Sequence, residues 1–184
     1  MKFIIIVICF IIALASYFFC YSKKDWRYLA VAMGFTLLSD YFLVVTNNHR
    51  VGVFTFCFVH IAYIMRVSAN KTKSIIYVLA TIAGGMLLTF FVDDILIVLA
   101  AVYAALFVQN LLTNFYQIHH PNRRLILIGL ILFALCDINV LMFNLPNFIN
   151  FPQSMASVAH SLIWFFYAPA QVLLAFSAVN FRKA

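Results

Sequence analysis

Leu125-Ile126-Leu127-Ile128-Gly129-Leu130-Ile131-Leu132-Phe133-Ala134-Leu135-Cys136-Asp137-Ile138-Asn139-Val140-Leu141-Met142-Phe143 is a run of nineteen residues with a single charge, Asp137. A hydrocarbon core of about 30 Å is crossed by roughly 20 apolar residues in a helix, so this run reads as a membrane span with an acid inside it. The same length of apolar sequence recurs on both sides. Phe3 to Tyr21, Tyr28 to Thr46, Val51 to Ala69, Ser74 to Val92, Ile95 to Phe115, Leu125 to Phe143 and Met155 to Val179 make seven expected spans. The break between the fourth and fifth rests on Asp93 and Asp94, the only charges between Ile75 and Phe115, which read as a tight hairpin.

Composition agrees along the whole chain. With 66% apolar and 9% charged residues in 184, there is too little polar surface for a soluble domain, and the 21 Phe residues are spread evenly. The expected fold is all-α, a single polytopic transmembrane helix bundle over residues 1–184. The net charge of +7 comes in small basic groups between spans, which reads as a topology signal and not as a nucleic-acid surface. Cys9, Cys20, Cys57 and Cys136 lie in or beside apolar runs without metal-ligand spacing and read as packed thiols.

Basic residues set the orientation. Lys23, Lys24, Arg27, Arg66, Lys71, Lys73, Arg123, Arg124, Arg182 and Lys183 fall on one side of the seven-span division, and only Lys2 and Arg50 on the other. Positive charge is retained on the cytoplasmic side, which puts the N-terminus outside and the C-terminus in the cytoplasm. The expected location is the cytoplasmic (inner) membrane of a bacterium. Residues 3–21 also resemble a secretory signal, because Ala13-Leu14-Ala15 looks like a small-residue cleavage site; the run continues through Phe18, Phe19 and Cys20, a length that suits a span.

Asp25, Asp93 and Asp94 fall at helix ends and read as solvated, whereas Asp40 and Asp137 are each followed by several more apolar residues before the span ends. An ionisable group at that depth is costly and marks a functional site by default. At about 1.5 Å per residue, both lie roughly 10 Å below the outer face. His60 and His160, on the inward-running third and seventh spans, fall in the same layer, giving four ionisable groups for one expected cavity. A weak repeat accompanies them. Leu38-Ser39-Asp40 precedes His60 by twenty residues, and Leu135-Cys136-Asp137 precedes His160 by twenty-three.

Gly52, Phe56 and His60 recur at intervals of four, with Tyr63 three further on, and Gly129, Phe133 and Asp137 repeat the interval. Residues four apart share a helix face, so each set offers a small residue for close packing, an aromatic wall and a polar head. Together with Leu37-Leu38-Ser39-Asp40 upstream and Tyr167 and Gln171 downstream, the pattern resembles the YhhN-type lysoplasmalogenase family of membrane proteins, from about residue 30 to residue 178. It departs from that family twice. Members usually have eight spans and a Lys-Pro pair ahead of the first Asp helix, where this chain has one preceding span and no Lys-Pro, and Ser39 stands where Gly is typical.

The resemblance implies hydrolysis of the vinyl ether bond of a lysoplasmalogen, a lysophospholipid substrate, to a fatty aldehyde and glycerophospho-ethanolamine or -choline. No cofactor or metal is implied, and the expected partners are this substrate and membrane lipids. Asp40 and Asp137 would be the catalytic pair, one protonated and one ionised. Cys136, Phe133 and Ile138 look drier than Ser39 and Tyr41, which favours Asp137 as the acid. His60, Tyr63, His160, Ser39, Tyr167 and Gln171 would position substrate or water.

Two rival readings use the same residues. Two Asp and two His could hold a catalytic metal, although no His pair stands at helical ligand spacing and the adjacent His119 and His120, beside Pro121, read as a cytoplasmic loop. A transporter, channel or sensor could use the Asp pair as a proton or cation site, and Gly84-Gly85 and Pro169 are the places where its helices would be interrupted.

Overall fold

The computed structural model describes residues 2–116, 122–147 and 149–180, so His119, His120, Pro121, Arg182 and Lys183 lie outside the described residues. The chain is an all-α bundle. Helices α1 (Lys2–Ala15), α2 (Lys23–Asp40), α3 (His49–Val67), α4 (Lys71–Leu88), α5 (Ile95–Tyr116), α6 (Arg123–Asn144) and α7 (Gln153–Phe176) follow one another through short connections. Six of them are long and apolar enough to cross a membrane, α2 being prolonged to Val45. The first, Phe3–Phe19 when its closing 3-10 turn is included, is apolar but shorter.

Helix α1 packs on α2 and α7, α2 on α3, α3 on α5, α5 on α6, and α6 tightly on α7, which closes a ring of six; α4 lies outside it, mainly against α5. Helix α1 contributes Ile6, Cys9 and Ala13 to the core, and the backbone N–H groups of Tyr21 and Asn180 tie its end to that of α7. Cleavage after residue 15 would strip Ile6, Cys9 and Ala13 from the core. Large apolar side chains on the outside, such as Phe90, Phe91 and Leu141, stay exposed, as lipid-facing residues must.

Each boundary has a local cause. Asn48 caps α3 by accepting from the Val51 N–H, and Asn70 caps α4 through Lys73. The expected hairpin at Asp93 and Asp94 is present, with α4 ending at Leu88 and the Asp94 carboxylate accepting from the Leu96 N–H at the start of α5. Helices α4 and α7 run without a break through Gly84-Gly85 and Pro169, so neither marks an interrupted helix. A Cβ on Gly85 would come within 2.2 Å of Val102, so its use is close packing against α5.

Candidate active site

Helix α2 changes character at Asp40. The next five residues, Tyr41–Val45, form a π-helical turn with none of them buried, whereas Ser39 and Asp40 just before it are. A π turn inserts an extra residue into the helical repeat and is frequent where a helix serves a site. Here it separates the phase of the inward-facing Ser39 and Asp40 from that of the outward-facing segment beyond. Asn47, at φ 53°, then turns the chain into α3. Gly52 lets α3 approach the π turn closely: a Cβ there would lie 2.5 Å from Leu43. Gly129, the matching glycine of α6, faces Leu174 and the Ala170 carbonyl of α7 at 3.0 to 3.3 Å from a Cβ. Both motif glycines therefore seat the helices that frame the aspartates.

Each aspartate takes a phenol. The Tyr167 hydroxyl of α7 donates to Asp40 Oδ2 in a short hydrogen bond, and the Tyr103 hydroxyl of α5 donates to Asp137 Oδ2 at 2.5 Å. Among the described residues no cation stands within ion-pair distance of either carboxyl. Phe133, four residues before Asp137, packs its ring 5.5 Å from Tyr167, 5.9 Å from Phe56 and 6.1 Å from His60. His60 in turn lies 4.9 Å from Tyr103. One aromatic layer thus links the Asp40–Tyr167 pair to the Asp137–Tyr103 pair, and the two motif phenylalanines meet at its centre.

His60 is 1% exposed and bonds to an amide, not to a carboxylate. Asn114 Nδ2 lies 2.9 Å from both the main-chain oxygen and the side-chain Oδ1 of Asn110. A carbonyl can only accept, so Asn114 presents its NH2 and Asn110 turns its own NH2 to His60 Nδ1, 3.3 Å away. An imidazole that accepts at Nδ1 carries its proton on Nε2. That Nε2 has no hydrogen-bond partner among the described residues, and neither has the buried Oε1 of Gln171, one turn beyond Tyr167.

Three of the expected positions stand elsewhere. His160 is exposed and rests its ring on Phe143, 4.7 Å away, so of the four expected ionisable groups only Asp40, Asp137 and His60 adjoin the aromatic layer. The repeat fails at the same place. Tyr63 is buried with its hydroxyl on Met33 sulfur at 3.6 Å, away from both aspartates. Ser39 donates within α2 and to Thr55 of α3, bracing the two helices beside Asp40 without touching its carboxyl. The expected contrast in surroundings is not seen, because Asp40 is buried, Asp137 is partly buried, and Tyr41 and Ile138 beside them both face outward.

Tyr103, Asn110 and Asn114 complete the cluster and were not among the expected residues. Their spacing of seven and four places them on one face of α5, and two Asn in an apolar span are a signal that could have led to Tyr103. No group of three or more His, Cys, Asp or Glu side chains converges as a metal-ligand set among the described residues. Two cavities, one where helix ends meet near Asp25 and one along α4 and α5, are lined by none of Asp40, Asp137 and His60.

Comparison with curated proteins and with solved structures finds no match. The model of the YhhN family matches residues 1–178, which brings α1 within the match as well as the helices that carry the aspartates. On that match, over nearly the whole of its length, the chain belongs to the YhhN family.

Proposed function

We propose that the protein is a membrane hydrolase that cleaves the vinyl ether bond of lysoplasmalogens, with Asp40 and Asp137 as its acid and base. The observation that carries this reading is two intramembrane carboxyls, each held by a tyrosine and neither neutralised by a cation, in a chain of the YhhN family. A carboxyl paired with Arg or Lys is held as a permanent anion, whereas one bonded to a phenol remains free to exchange a proton.

In this reading Asp40, held between α2 and α7, is the acid, and Asp137, at the α5–α6 contact, is the base. Asp40 gives its proton to the vinyl carbon β to the ether oxygen, the π electrons form the new C–H bond, and an oxocarbenium ion remains. Water adds to the cationic carbon and Asp137 takes its proton. The hemiacetal then collapses: Asp40 recovers the hydroxyl proton, the carbon–oxygen bond to glycerol breaks, and Asp137 returns its proton to the departing oxygen. Aldehyde and glycerophosphodiester leave with both carboxyls restored. Tyr103 and Tyr167 hold the carboxyls in place, and the His60 Nε2–H is a fixed donor for water or a substrate oxygen.

Entry between α5 and α6 fits this arrangement, because those helices touch over a short stretch and the Tyr103–Asp137 bond spans them. The purified protein in detergent is to be given a lysoplasmalogen and, separately, its alkyl-ether analogue. Free aldehyde from the first alone is the expected result, since only the vinyl ether can be protonated to an oxocarbenium ion. No aldehyde from either, with proton-coupled ion flux in vesicles, would replace the hydrolase with a transport site at the same carboxyls.

A further inference from the structure

At the end of the bundle remote from Asp40, a cavity of about 270 Å³ is lined by Ser22, Lys24, Asp25, Tyr28, Arg66 and Lys71, with Arg123 and Ser177 closing it. Asp25, expected to be a solvated helix end, is instead held by Arg66, which is itself 1% exposed at its side chain and donates to both carboxylate oxygens, at 3.0 and 2.6 Å, and to Ser177 Oγ at 2.7 Å. Lys24, Lys71 and Arg123 reach the same space, and among the described lining residues Asp25 is the one carboxylate. Lys71 Nζ sits 5.0 Å over the Tyr28 ring, and Arg123 donates to the Val67 carbonyl at 2.9 Å, so two of these cations are aimed by the fold and do not wave freely in solvent.

The backbone adds to the field. The first turns of α2, α4 and α6 all reach this cavity, through Lys24 and Asp25, Lys71, and Arg123 and Ile126. Helix N-termini carry partial positive charge and unpaired N–H groups. Of the three, only α4 has a side-chain cap; Ser22 makes no cap bond to α2, and Asn122 spends its amide on the Val179 carbonyl instead of on α6. A half-open space with three convergent helix starts and, among its described lining residues, four cations and one carboxylate selects an anion with several acceptor oxygens.

We propose that this cavity is a second binding site, specific for a phosphate group, presented either by an anionic phospholipid headgroup or by soluble phosphate. It is not the seat of the substrate's own phosphate when the vinyl ether lies at the aspartates, a distinction that rests on the proposed function. Asp25 and Asp40 are fifteen residues apart on one α-helix, about 22 Å. The ether oxygen and the phosphorus of a lysoplasmalogen are separated by a handful of bonds, about 7 Å at full stretch. A phosphate at this end of the bundle therefore belongs to a second molecule.

The test is a binding measurement on the full chain, independent of aldehyde release. Protein in neutral detergent is titrated with inorganic phosphate against chloride at equal ionic strength, reading thermal stability. In parallel, nanodiscs of phosphatidylcholine are titrated with phosphatidylglycerol. A saturable response to at least one probe is expected, lost by about tenfold in affinity in the double variant Lys71→Gln with Arg123→Gln and kept within about twofold in Lys73→Gln with Arg124→Gln, whose side chains are exposed outside the cavity. A response to phosphate alone assigns the soluble ion, and a response only to the lipid assigns the headgroup. If the cavity double variant does not fold, Lys71→Gln alone is expected to lose about threefold. No saturable response to either probe overturns the site, as does a cavity variant that retains affinity or an equal loss in both double variants.

Discussion

The bundle keeps acids at both ends and treats them in opposite ways. Asp25 meets a buried arginine in a two-pronged ion pair, among further cations and helix N-termini. Asp40 and Asp137 meet only tyrosine hydroxyls in a layer of phenylalanine and histidine. The first arrangement fixes a charge and ties α2, α3 and α7 together; the second leaves a carboxyl with a neutral partner and no compensating charge. The same residue type is tied into an ion pair at one end and, on the proposed function, left free to exchange a proton at the other, because of what its oxygens touch.

The comparison breaks most readily at Arg66. Replacing it with Met leaves Asp25 without its counter-charge and Ser177 without its donor, and a cost of about 3 kcal/mol in stability is expected, toward the lower limit because Asp25 is partly exposed. Thermal unfolding in detergent reads this, with no change in turnover per folded molecule. At the other end the effects exchange places. Tyr167→Phe and Tyr103→Phe each remove one bond to a carboxyl proposed as acid or base and should lower aldehyde release by about 10- to 100-fold, equivalent to about 1–3 kcal/mol of barrier, while shifting the unfolding temperature little. A large loss of stability without loss of turnover would make the phenols struts.

Gly52→Ala tests the seat of the π turn. The added methyl meets Leu43 side-chain carbons at 2.5 Å, and a destabilisation of about 1–2 kcal/mol is expected, relieved when Leu43 is shortened to Ala in the same protein. The smallest effect is reserved for His160. Because it is exposed against Phe143, His160→Ala should leave aldehyde release within about twofold of the parent, whereas His60→Ala should not.

The helices were legible to within a few residues at their ends because apolar run length marks them directly, and Asp40, Asp137, His60 and Tyr167 stood out or were carried by the family pattern. What sequence does not carry is azimuth. Depth placed His160 level with His60, but the buried stripe at that end of α7 runs through Ala156 and Ala159, and one further residue, about 100° round, turns His160 outward. Partners distant in sequence were also hidden. Asp25 and Arg66 are forty-one residues apart, and a terminal Asp reads as solvated until the helix ends are assembled. Tyr103 was overlooked because an aromatic in a membrane span is most often wall, and only its register with Asn110 and Asn114 distinguishes it.

The most direct test of the central claim is aldehyde release from lysoplasmalogen by Asp40→Asn and Asp137→Asn, each purified in detergent with its unfolding temperature measured alongside. Asn keeps the shape and an acceptor for the tyrosine but cannot exchange a carboxyl proton, so each single variant should lose about 10³-fold in turnover and remain folded. Turnover within about tenfold of the parent in either folded variant would contradict the assignment of the two aspartates as acid and base.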